Sequence, residues 1–348
     1  MEIFWFCVVA LMLVVYVVLD GFDLGAGMIH LWAARTDAER RTVLNAIGPV
    51  WDGNEVWLLA AGGTLYFAFP PVYASAFSGF YLPLMIVLWL LMMRGLGIEL
   101  RHRVQHPLWK SFWDTVFSAG SVLLAVFFGA ALGNLIRGVP LGEEGYFFEP
   151  LWTTFAPGPE PGVLDWFTVL MGLVAVCALL AHGAHYIALR TEGDLQLRAR
   201  KAARYGAAGL ALGSAAGLAA AASLRPDLRD NFAAHPWGWI FPLCALAGLA
   251  GMFYFQGRGR DRGAFLSSAA FIAGALGATA FGMFPVMLRS AADARHHLTV
   301  WNSATHAYGM ETGLLWWIPG ILLAAGYFAA VYYLHRGKLK LPAEGEGY

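Results

Sequence analysis

The chain has 348 residues, of which 59% are hydrophobic and only 13% charged, with a mean hydropathy of +0.58. Soluble domains are about half apolar and about a quarter charged, so an ordinary soluble protein is excluded and an integral membrane protein is predicted. The 23 basic and 23 acidic residues cancel, which excludes the basic footprint of a nucleic-acid binder.

Apolar runs of roughly 20 residues mark membrane-spanning helices. They are predicted at 4–29, 50–69, 73–98, 112–136, 164–189, 203–223, 238–256, 264–288 and 311–335. The expected fold is therefore all-α, with nine transmembrane helices. The 14 Trp residues suit interfacial belts. Met1-Glu2 runs straight into apolar residues, without a basic leader or a small-residue cleavage site, so the first helix is read as retained. Cys7, Cys177 and Cys244 lie in apolar stretches and form no CxxC pair. They are expected to be small buried residues rather than a disulfide framework.

The loops between these helices sort the basic residues. The loops after odd-numbered helices, with the C-terminal tail, hold 18 of the 23, from Arg35 to Lys340. The opposite side holds Arg137, Arg225, Arg229, Arg289 and Arg295. This split places the N-terminus outside and the C-terminus in the cytoplasm. The end of the first helix also echoes the fifth. His30, Ala33, Arg35, Thr36 and Asp37 recur as His185, Ala188, Arg190, Thr191 and Glu192. The echo predicts a parallel repeat of two four-helix units plus one helix. The expected divisions are 1–138, an extracytoplasmic loop at 139–163, a second unit at 164–290, and a ninth helix with cytoplasmic tail at 291–348.

The few acids inside the apolar runs carry the functional signal. The first helix contains Asp20 and Asp23, and the second opens with Trp51-Asp-Gly-Asn-Glu55. Ionised acids at the bilayer centre cost roughly 2.5–3.5 kcal/mol each on insertion scales. A rise of about 1.5 Å per residue puts Asp20, Asp23, Asp52 and Glu55 in the cytoplasmic half. Each pair is spaced i,i+3, on one helix face. All four are expected to converge, with Arg94 and Glu99 joining them and Trp51 and Asn54 in support. Closely spaced carboxyls in low dielectric suit proton uptake; capping, pairing with Arg94 or Arg101, or contact with water are structural alternatives. Gly21, Gly25 and Gly27 permit close helix approach.

Ten histidines raise the question of haem. His182 and His185 are i,i+3 and could share a metal, but no intramembrane histidine on a facing element matches them. Satisfied or solvated histidines are the preferred reading, and no metal site is assigned. No phosphate loop, dinucleotide fingerprint, HExxH or Ser-His-Asp arrangement is present, so no self-contained catalytic centre is expected.

Several blocks in order resemble subunit II of cytochrome bd quinol oxidases: Asp20-Gly-Phe-Asp-Leu-Gly25, Glu39-Arg-Arg41, Trp51-Asp-Gly-Asn-Glu-Val-Trp57 and Ala76-Phe-Ser-Gly-Phe-Tyr81. Arg190-Thr191 with Gly193, Leu195 and Arg198 resembles the start of the family's second half. Phe284-Pro285 and Leu298-Thr-Val-Trp301-Asn302 resemble the segment before its last helix. The resemblance spans nearly the whole chain, and the compact length is similar to the cyanide-insensitive branch. It implies a haem-free, nine-helix partner of a subunit I that carries haems b and d and the quinol loop. It also implies a multi-pass protein of the bacterial cytoplasmic (inner) membrane, with small single-helix accessory subunits as further candidate partners. The complex would oxidise quinol near the outer face and reduce oxygen to water, without pumping, using cytoplasmic protons. By motif position Asp23 and Asp52 carry over as proton-pathway residues, followed by Asp20. Glu55 occupies a position that is not always acidic in relatives. Some relatives hold a structural quinone in subunit II, for which no site is assigned.

Two other functions remain to be weighed. An independent proton-coupled transporter would place its broken helices at the bilayer midplane, whereas these acids sit toward one leaflet. The echo also aligns Asp20 and Asp23 with Ala175 and Ala178, an asymmetry that argues against equivalent alternating halves. A haem-binding subunit would rest on His182 and His185.

Overall fold

The computed structural model describes residues 1–339; Lys340 and the rest of the predicted tail lie outside the described residues. Twelve α-helices are present among them: α1 (Glu2–Ala33), α2 (Asp37–Ile47), α3 (Trp51–Ala68), α4 (Pro70–Gly79), α5 (Tyr81–Leu100), α6 (Pro107–Arg137), α7 (Trp166–Arg190), α8 (Gly193–Leu224), α9 (Asp230–Ala234), α10 (Ile240–Gly257), α11 (Asp261–Met283) and α12 (Ala307–Leu334). One short antiparallel pair, β1 (Val286–Leu288) and β2 (Leu298–Thr299), precedes α12. Eight helices among the described residues are long and apolar enough to cross a membrane, and α3 is not one of them. At 18 residues it is short, and Asp52 and Glu55 lower its hydropathy.

Several expectations are corrected. The span predicted at 73–98 is two helices, α4 and α5, separated at Phe80. Pro83 explains the break, because a proline has no N–H and its ring collides with the carbonyl four residues back, here Gly79. The segment read as a loop at 30–49 contains α2. It is too short and charged to register as an apolar run, yet it buries Val43, Leu44, Ala46 and Ile47. A capping box starts it: the Thr36 hydroxyl accepts from the Glu39 N–H, and the Glu39 carboxylate accepts from the Thr36 N–H. The helix predicted at 203–223 begins ten residues earlier, and the one predicted to reach 288 ends at Met283. Cys7 and Cys244 are exposed on apolar helix surfaces rather than buried, and Cys177 is half-buried.

The helices pair in a regular pattern. α1 packs on α3 and α6, and α5 packs on α6; α7 packs on α8 and α11, and α10 packs on α11. The two groups meet where α1 lies against α7, with α6 on α7 and α1 on α11 to either side. At the α1–α7 crossing Gly25 faces Gly183. A Cβ on Gly183 would lie 2.3 Å from the Gly25 carbonyl carbon, and one on Gly25 would lie 2.0 Å from the Leu179 oxygen. Only glycine permits this approach. α12 is different, because Met310 is its only buried residue.

Candidate functional site

α1, α3 and α5 bring the predicted acids together around one guanidinium. Asp20 and Asp23, one turn apart on α1, are both fully buried, as is Arg94 on α5. Arg94 Nη1 donates to Asp20 Oδ1 at 2.7 Å, and its Nη2 donates to Glu55 Oε2 at 2.9 Å. Asn54, next to Glu55 on α3, donates from Nδ2 to Asp23 Oδ2 at 2.7 Å. Its Oδ1 accepts a hydrogen bond from Tyr332 of α12 at 2.8 Å. Trp51 is half-buried, with its indole edge against Gly95 beside Arg94.

Two expected members stay out. Asp52 lies in the first turn of α3 with its side chain exposed, where the helix dipole favours an acid. Glu55, one turn on, is half-buried and is the acid of this helix that bonds Arg94. Glu99 is half-buried on α5 and bonds none of the cluster. It follows Arg94 by five residues, which turns it off the Arg94 face of a helix with 3.6 residues per turn.

Two carboxyl groups thus bond one guanidinium, and a third, Asp23, lies one turn along α1 from Asp20 with only an amide on its Oδ2. Full ionisation leaves buried negative charge without a partner, and binding a proton removes it. Asp20 Oδ2 and Asp23 Oδ1 are buried without a hydrogen-bond partner among the described residues. The cluster therefore keeps unused hydrogen-bonding capacity.

A second buried ion network was not anticipated. Asp114 of α6 accepts from His30 Nε2 at 2.6 Å, Arg101 Nε at 2.5 Å and Arg40 Nη1 at 2.9 Å. Arg101 also donates to Asp37 at 2.8 Å, and Lys110 reaches the same carboxylate at 3.1 Å. Partial burial works to raise the Asp37 carboxyl, but the hydrogen bonds and charges of Arg101 and Lys110 together outweigh it and hold the group below the usual carboxylate range. The available signal was Asp114 itself, the one acid inside the predicted span 112–136. His30 is accordingly a core histidine paired through Nε2 with Asp114, while its Nδ1 is buried without a partner among the described residues.

A third network lies at the opposite end of α6. Arg137 bonds Asn134, Glu149 and Asp165, together with the carbonyls of Gly138 and Gly162. Burial pushes the Glu149 carboxyl up to about 7, in spite of Arg137 beside it. On the same side, hydrogen bonds from Arg225 hold Asp227 at about 2, with help from Arg289.

His182 and His185 are brought into the core but have little left to offer a metal. His182 Nδ1 lies 2.8 Å from Ser268 Oγ and its Nε2 lies 2.8 Å from the Val18 carbonyl oxygen. Its ring stacks on Phe265. His185 Nε2 pairs with the Gln256 amide at 3.0 Å. With both nitrogens of His182 engaged, the pair does not fit axial ligation of a haem.

Residues 1–335 match the family model for cytochrome bd terminal oxidase subunit II. The chain belongs to that family. Among similar proteins, a probable cytochrome oxidase subunit 2 of Haemophilus influenzae is 32% identical over 96% of this chain and 94% of its own. Subunit 2 of the cytochrome bd ubiquinol oxidase of Bacillus subtilis is 31% identical over 96% of both chains. Subunit 2 of the cytochrome bd-I ubiquinol oxidase of Escherichia coli is 39% identical over a match covering 58% of this chain and 52% of that one. A chain of the bd oxidase from Geobacillus thermodenitrificans has the same fold, with a TM-score of 0.76 at 18% identity over 96% of this chain and 98% of that one. Membership in the cytochrome bd subunit II family sets aside the independent transporter, and the occupied ring of His182 speaks against a haem-binding subunit.

Proposed function

We propose that this chain is the haem-free second subunit of a bd-type quinol oxidase in the bacterial cytoplasmic membrane. It would stabilise a haem-bearing subunit I and supply part of the cytoplasmic route by which protons reach the site of oxygen reduction. The observation that carries the proton reading is the buried set Asp20, Asp23, Glu55 and Arg94, three acids about one base with carboxylate oxygens left unbonded. Haems b and d belong to subunit I in this reading, and the complex rather than this chain alone is the active oxidase.

The orientation and the repeat are part of the same proposal. At about 1.5 Å per residue, α3 extends roughly 27 Å, close to the roughly 30 Å hydrocarbon core. Counted as a span it makes nine, with the N-terminus outside and the basic loops in the cytoplasm. The matching helix pairs in the two groups support two four-helix units, 1–138 and 164–290. The acids belong to the first unit alone.

The direct test is Asp23→Asn in the purified complex. Oxygen consumption per haem is expected to fall by roughly 100-fold or more, the contribution typical of proton-transfer groups, with haem content retained. Unchanged turnover per haem would refute the proton role.

A further inference from the structure

α12 reaches the acid cluster from outside the packed bundle. It buries only Met310 among 28 residues, yet its Tyr332 hydroxyl lies 2.8 Å from Asn54 Oδ1. The orientation of the Asn54 amide follows from its neighbours. Its nitrogen faces Asp23 Oδ2 at 2.7 Å and the Leu19 carbonyl at 3.4 Å, a carboxylate and a carbonyl that accept hydrogen bonds. The amide oxygen must then face α12, and Tyr332 must donate to it. A phenylalanine there would leave the amide oxygen buried and unbonded. The amide would then lose the contact that keeps its N–H directed at Asp23.

We infer that Tyr332 is a positioning residue for the proton pathway, holding the Asn54 amide so that Asp23 is fixed through Oδ2 and left open at Oδ1. This rests on the reading of Asp23 as a proton carrier. Asp23 Oδ1 is buried without a partner, so it is the atom free to take the proton once Oδ2 is held. Hydrogen bonding from one α12 residue thus reaches the acid through a group that does not itself titrate. Other ionisable groups surround Asp23: Asp20 on α1, Glu55 on α3, Arg94 on α5, Tyr186 on α7 and Tyr332 itself on α12. Among these groups, Arg94 is the sole cation.

The test compares Tyr332→Phe, Asn54→Ala, the double variant and Asp23→Asn in the assembled oxidase, with turnover expressed per haem across pH. Tyr332→Phe removes one oxygen from a half-buried ring, so assembly is expected to persist. Its turnover should fall about fivefold, the worth of one hydrogen bond, and its pH profile should move. Asn54→Ala should move the profile by the same amount, and the double variant should match Asn54→Ala alone. A wild-type pH profile in Tyr332→Phe alongside a slow Asp23→Asn overturns the positioning role while leaving the proton role of Asp23 intact. Loss of assembled complex with normal turnover per haem overturns it as well, in favour of simple packing of α12. Wild-type turnover in Asp23→Asn removes the reading beneath it.

Discussion

His30 and Asp114, 84 residues apart, meet at 2.6 Å with both side chains fully buried. Arg101 and Arg40 bond the same carboxylate, so one acid ties α1, α2, α5 and α6 together at the end of the bundle richest in basic residues. Buried ion networks of this kind add little when complete, but removing one partner strands the others.

Asp114→Asn should therefore cost about 3–5 kcal/mol, the usual loss when a buried pair is broken. The expected outcome is a sharply lower unfolding temperature of the oxidase and a poor yield of assembled complex. Wild-type stability would show that water or another group satisfies Arg101 and Arg40.

Asp52→Asn offers a different kind of test. The side chain is exposed and bonds none of the cluster, so its change should leave stability within about 0.5 kcal/mol, as for ordinary surface positions. If Asp52 feeds protons toward the cluster or the partner, turnover per haem falls while haem content stays normal. Equal turnover at all pH values would remove Asp52 from the route.

Gly183→Ala should open the α1–α7 crossing. Its new methyl would stand 2.3 Å from the Gly25 carbonyl carbon and 2.4 Å from the Ala26 nitrogen, and backbone cannot swing aside as a flexible side chain can. A loss of about 3 kcal/mol, at the upper end for overpacking, is expected. Gly62→Ala is the control, since nothing among the described residues lies within 4 Å of its new carbon. Thermal unfolding of both complexes decides the matter.

Glu149 predicts a pH dependence outside the membrane segments. Burial raises its carboxyl from the ordinary 4.5 to about 7 in the folded protein. The folded state therefore binds more protons than the unfolded one between these values, and stability falls as pH rises through that window. Hydrogen exchange across residues 139–165, corrected for its intrinsic pH dependence, should show the loop loosening from about pH 5 to about pH 8. Glu149→Gln should flatten this trend. An unchanged trend in that variant would place the titrating group elsewhere.

His182→Ala should leave the reduced-minus-oxidised spectrum of the oxidase with all its haem bands. Loss of a band would assign a haem contact to this chain.

How much of this was legible in the sequence differs from element to element. Apolar length found the long helices because hydrocarbon thickness imposes it. The same signal missed α2, whose burial comes from packing beneath the bundle, and it missed the break at Phe80, where a local proline effect is hidden inside an unbroken apolar run. Asp20, Asp23 and Glu55 were recognisable because an acid among apolar neighbours needs a partner, and Arg94 was the nearest available. The exposure of Asp52 beside a half-buried Glu55 was not legible. Spacing of i,i+3 gives a shared face but not a shared depth, and the first turn of α3 leaves its acid exposed while Glu55 is half-buried. Tyr332 was invisible for another reason, since 278 residues separate it from Asn54 and no periodicity links them.

The contact of Gly25 with Gly183 has a mechanical consequence for the acid two residues earlier on α1. Helices separated by a layer of side chains can creep past one another as rotamers change. Here bare main chain rests on bare main chain, and no cushion exists to absorb sliding. Asp23 is anchored beside this stiff joint, so adjustment at the acid falls to the lightly held helix on its other side.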